Sequence, residues 1–94
     1  MQTQAKKFEL GKIVATPEAL AAINEAGQTP IEFIRRHASC DWGDVDIADA
    51  KENNLSVERG FRILSSYLTR LNVKIWIITE ADRSISCLLL PENY

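Results

Sequence analysis

The sequence predicts an α+β domain in which N-terminal helices pack on a three-stranded antiparallel β-meander. Three observations predict it. Two Thr-Pro pairs, Thr16-Pro17 and Thr29-Pro30, open helical patterns in the first half of the chain. From Phe61 onward the apolar residues alternate instead of recurring at three and four residue steps. Turn residues then divide that alternating stretch, and Pro91, which has no N–H to give a ladder, closes it.

The elements follow in order. Residues 1–7 are polar and read as a flexible N-terminus, leaving 8–94 as one domain. Lys12 to Ala15 can form a short strand. Thr16 then caps a first helix, Pro17 to Ala26, with Ala19, Leu20, Ile23 and Ala26 on its apolar side and Gly27 as a left-handed stop. Thr29 and Glu32 have the spacing of a capping box for a second helix, Pro30 to His37, whose Arg35 and Arg36 suit the negative end of the helix dipole. A third and less apolar helix spans Ile47 to Arg59 and ends at Gly60. In the strands, Ile63, Ser65 and Tyr67 share one face, and Ile75, Ile77 and Thr79 alternate with Trp76 and Ile78. Asn72 sits in the turn between them and Ser86 to Leu90 makes the last strand. Stripes as apolar as Trp76 and Ile78 need cover, from helices or from a second copy.

Composition bounds the function. Ninety-four residues, 46% hydrophobic and 26% charged, make one small globular domain with no room for a second. A formal charge of −2 argues against nucleic acid as the main partner, since clustered Lys and Arg supply most of such binding. No stretch has the apolar length of a signal peptide or a membrane span, so no membrane role and a cytoplasmic location are expected. Two cysteines, Cys40 and Cys87, read as reduced thiols near the core, and no cofactor signature occurs.

The segments FELGKIVATPEAL, DWGD, RILSSY, KIWIITEADRS and LLLPENY resemble a small uncharacterised family of bacterial proteins of plasmids and other mobile elements. The resemblance covers Phe8 to Tyr94 and implies a habitat, not an activity. Asn72 and Cys87 depart from its pattern, which has glycine and threonine at these places.

Several constellations carry chemistry. Glu80, Asp82, Arg83 and Ser84, after the strand KIWIIT, are either a binding cluster or a solvated hairpin loop. Asp41, Asp44, Asp46 and Asp49 surround Trp42 and Gly43, but their register does not fit a calcium loop, so capping of the next helix competes with partner binding. His37 and Cys40 have the spacing of two zinc ligands without the other two, against a histidine that pairs with the last carbonyls of its helix. Arg35, Arg36 and His37 would face phosphates in a helix-turn-helix. Arg59, Arg62, Arg70, Lys74 and Arg83, with Tyr67 or Tyr94 as proton donor, would form a site like that of a small mRNA-interferase toxin if they converge. The expected function is a non-enzymatic interaction or regulatory module of a mobile element, in one form an inhibitor of host defence. Its protein partner is expected at Asp41, Trp42, Asp44, Asp46, Glu80, Asp82 and Arg83, with homo-oligomerisation left open. No catalytic residue and no metal ligand is assigned.

Overall fold

The computed structural model describes residues 6–94. Along the chain run β1 (Lys12–Ala15), α1 (Pro17–Glu25), α2 (Pro30–Ala38), α3 (Ile47–Arg59), β2 (Ile63–Leu68), β3 (Lys74–Thr79), β4 (Ile85–Leu89) and a closing 3₁₀ turn, Pro91–Asn93. Of the N-terminal segment expected to be flexible, residues 1–5 lie outside the described residues, and the Lys7 N–H is tied to the Ala38 carbonyl at 2.8 Å.

The expected three-stranded meander is incorrect. The sheet has four strands in the order β1-β4-β3-β2, with β1 parallel to β4 and the other pairs antiparallel. The Lys12 N–H reaches the Ser84 carbonyl and the Thr16 N–H the Leu88 carbonyl, each at 2.9 Å, which lays β1 along the outer side of β4. Apolar periodicity identifies a strand but carries no mark of its neighbour. A parallel pairing across some seventy residues is therefore absent from the local pattern.

Local chemistry accounts for the helices. Thr16 caps α1 by accepting from the Ala19 N–H at 3.1 Å. Asp46 caps α3 by accepting from the Asp49 N–H at 2.8 Å, and Gly60 ends it with φ of 75°. The expected capping box of α2 does not form. Thr29 makes no side-chain cap, and Glu32 instead accepts from the Gln28 amide at 2.7 Å. Asn72, at φ 64°, takes the left-handed turn position expected of it.

All three helices serve one side of the sheet. Ala19, Ala22 and Ile23 of α1 and Phe33 and Ile34 of α2 pack on Tyr67, Ile75, Ile77 and Leu88. A second cluster joins Phe8, Trp42 and Ile63, with Ala50 and Val57 of α3 against it. Register puts Leu64, Ser66, Trp76, Ile78, Cys87 and Leu89 on the opposite face. Among the described residues no helix side chain joins them in a core cluster. The C-terminus covers Trp76 on this face: the Tyr94 ring lies 6.0 Å from it, edge to face, and the Arg62 guanidinium lies 5.3 Å over Tyr94.

Candidate functional site

The residues singled out in the sequence separate into structural and free groups. Trp42 is buried, donates its indole N–H to Asn54 Oδ1 at 3.0 Å and packs against Phe8 and His37. Asp41 accepts from Arg36 Nε at 2.7 Å and from the Gly43 N–H at 3.1 Å, and the Arg36 hydrogen bond holds its carboxyl below the usual carboxylate range. The 42–44 turn thereby docks on β2, where the Trp42 carbonyl accepts from the Ser66 N–H at 3.1 Å and the Asp44 N–H bonds the Ser66 carbonyl. Gly43 makes that approach feasible. Its φ is 71°, and a Cβ there would strike the Ser66 carbonyl and the Tyr67 ring. Asp46 is occupied as the α3 cap. Asp44 stays exposed, 3.9 Å from Lys74 Nζ.

Arg83 is the lynchpin of the β3–β4 turn. At φ 61° its Nη1 donates to the Phe61 carbonyl at 2.7 Å and its Nη2 to the Ser56 carbonyl at 2.8 Å, which ties the turn to the C-terminal end of α3. Its guanidinium also lies 5.7 Å over the Phe8 ring. Asp82 folds back on Ser84, accepting from its N–H at 3.0 Å and its hydroxyl at 2.6 Å, and these bonds lower its pKa. Glu80 pairs loosely with Arg62 at 3.7 Å.

The cations do not all gather at one place. Arg62 lies over Tyr94 and Arg83 over Phe8, although both approach Glu80, whose carboxylate pairs with Arg62 and whose carbonyl accepts from Arg83 at 3.2 Å. Arg70 donates its backbone N–H to Gln28 Oε1, at the α1–α2 turn. Tyr67 is 1% exposed, donates to the Asp41 carbonyl at 2.7 Å, and burial raises its pKa well out of the range of a working acid. Of the residues expected to face phosphates, His37 is buried and Arg36 lies 4.6 Å over the Tyr67 ring, bonded to Asp41.

His37 holds the most ordered chemistry in the molecule, and it lies in the core. It is wholly buried, with Nδ1 2.6 Å from Ser65 Oγ and Nε2 2.8 Å from Thr79 Oγ1. Thr79 Oγ1 lies 2.7 Å from Ser86 Oγ, which donates to the Leu10 carbonyl at 2.7 Å. That carbonyl can only accept, so the proton order propagates back along the chain. Ser86 spends its hydrogen on Leu10, Thr79 donates to Ser86, His37 donates from Nε2 to Thr79, and Ser65 donates to Nδ1. Histidine is thus the neutral Nε2–H tautomer, and burial lowers its pKa from 6.5 to about 3, with the nearby Arg83 charge adding to the effect. Ser65 and His37 have the spacing of a nucleophile and its base, but both are sealed from solvent and join α2 to the sheet. Helix carbonyls are not the partners of His37, contrary to expectation. The hydroxyls could have been suspected from Ser65 and Thr79 facing one side, but only the register brings them to the imidazole. Among the described residues no group of three His, Cys, Asp or Glu side chains could hold a metal ion.

A groove of about 420 Å³ lies between α3 and β2, lined by Asp49, Glu52, Asn53, Phe61, Arg62 and Leu64. Phe61 is 54% exposed and, with Leu64, supplies its apolar surface, while Asp49 and Glu52 supply carboxylates. Through Arg62 the groove continues to exposed Tyr94 and half-buried Trp76. Composition alone did not single out this groove, because α3 contributes its polar side to it. No protein-family model, curated protein or solved structure matches the chain. Among the described residues no helix is long and apolar enough to cross a membrane.

Proposed function

We propose that the chain is a non-enzymatic interaction module, an accessory of a mobile element, which binds a protein partner in the groove between α3 and β2 and on the adjoining helix-free face. One observation carries this reading: an apolar surface of Phe61 and Leu64 stands open beside two carboxylates, Asp49 and Glu52, and leads to exposed Tyr94. Aromatic anchors with a charged rim are the usual means by which a small surface gains affinity. The chemistry suits a segment with an apolar anchor and a basic side chain, because Arg62, the groove's cation, is shared with Glu80. Glu80 adjoins the groove through its ion pair with Arg62, and Asp44, beside Lys74, is exposed on the turn that docks on β2. Asp41, Trp42, Asp46 and Arg83 act behind it by holding the loops in place.

The test is affinity capture from the native host with quantitative mass spectrometry. It compares the wild type with an Asp49→Lys, Glu52→Lys double variant and with a Glu25→Lys control on α1. A partner retained by the wild type and the control, and lost by the double variant, supports the reading. The same set of proteins on all three baits refutes it.

A further inference from the structure

The two edges of the sheet are treated differently. On β2 the outward groups of Leu64 are met by one side chain, the Asn53 amide, which donates to the Leu64 carbonyl at 2.7 Å and accepts from its N–H at 3.2 Å. Those of Ser66 are met by the 42–44 turn. Strand addition at the middle of β2 is therefore blocked. On β1, Lys12 and Thr16 turn their N–H groups toward β4, and alternation along a strand turns those of Ile13 and Ala15 outward. Among the described residues no backbone group pairs with Ile13 or Ala15 on that side. On this edge the apolar side chain of Ile13 is left 46% exposed.

We propose that β1 pairs with β1 of a second copy of this chain, antiparallel about a two-fold axis at Val14, so that two sheets join into one of eight strands. The outward groups favour this occupant because Ile13 and Ala15 lie symmetrically about Val14. Ile13 faces Ala15 of the second copy and exchanges both bonds with it, its mate does the same, and Val14 meets its own counterpart as a non-hydrogen-bonded pair. The charges agree. Lys12 falls opposite Thr16 of the second copy, which leads into the helix turn carrying Glu18, and no like charges face each other. Both Lys12 and Glu18 are exposed, and neither has an ion-pair partner among the described residues.

Sedimentation of the full chain over a wide concentration range tests the pairing. The weight-average mass is expected to rise from 10.6 kDa toward twice that value. Ile13→Pro removes an outward N–H that the monomer does not use, so it should remain monomeric with an unchanged circular dichroism spectrum. Should that variant fail to fold, a mixed sample of labelled and unlabelled wild type provides the second measurement. An intermolecular Hα–Hα contact at Val14 is expected there. A wild type that stays monomeric throughout, a folded Ile13→Pro that still dimerises, or a dimer without the Val14 contact overturns the proposal.

Discussion

Acid is expected to unfold this protein through its one imidazole. His37 is the only histidine, so between about pH 8 and pH 5 no other side chain of ordinary pKa changes charge. In the unfolded chain it binds a proton near 6.5, whereas in the fold burial lowers that value to about 3. Below 6.5 the unfolded state therefore holds more protons than the native state, and stability falls with pH until the native imidazole titrates near 3. The contribution is fully present above 6.5. It amounts to about 5 kcal/mol over the whole range, of which about 2 kcal/mol is gone at pH 5. That is a large share of the total for a domain of this size, since ~5–15 kcal/mol is typical. Urea unfolding followed by circular dichroism should show the midpoint dropping by roughly 1–2 M between pH 8 and pH 5. In the native state the His37 Cε1–H resonance should not move over this range, and the ¹⁵N shifts should report the Nε2–H tautomer. A native titration midpoint near 6, the other tautomer, or a flat urea midpoint would refute the reasoning.

Arg83→Ala should lower stability by about 2–3 kcal/mol in urea melts, because two charge-assisted bonds to the Phe61 and Ser56 carbonyls are lost, and Arg83→Lys should recover only part of it. Gly43→Ala should cost about 3 kcal/mol or more, since it strains a positive φ and drives a Cβ against the Ser66 carbonyl, and thermal melts would register a fall in Tm. Ser66→Ala should be neutral or stabilising by up to about 1 kcal/mol, because the Ser66 hydroxyl is buried without a hydrogen-bond partner; a clear loss of stability would contradict that.

Much of the secondary structure was legible in local chemistry. Thr16-Pro17, Asp46 and Gly60 work as helix boundaries because caps act within one turn of the chain, and β2 shows the alternation read from Ile63, Ser65 and Tyr67. The capping box at Thr29 failed although its spacing was right. Gln28, one residue upstream, captured the Glu32 carboxylate that the box required. The candidate site was legible only as a list of residue types. Seven residues were expected to meet a partner, and four of them, Asp41, Trp42, Asp46 and Arg83, spend their side-chain bonds within the fold, on Arg36 of α2, on Asn54 of α3, on the N-terminus of α3 and on its C-terminal end. An aspartate that caps a helix and one that meets a ligand are the same letter, and the difference lies in which N–H stands within 3 Å of it.

Caps, periods and charge balance belong to neighbours in the chain, and so the sequence was sufficient for three helices, the strand positions and the absence of a net positive field. Tertiary structure alone decided that β1 lies parallel to β4, that His37 is buried between Ser65 and Thr79, and that the middle of β2 is sealed while, among the described residues, the outer side of β1 has no partner. Each of these is a contact between residues at least eleven positions apart along the chain. Such contacts arise only when burial of the common core brings distant segments together, and no local period records which segments those are.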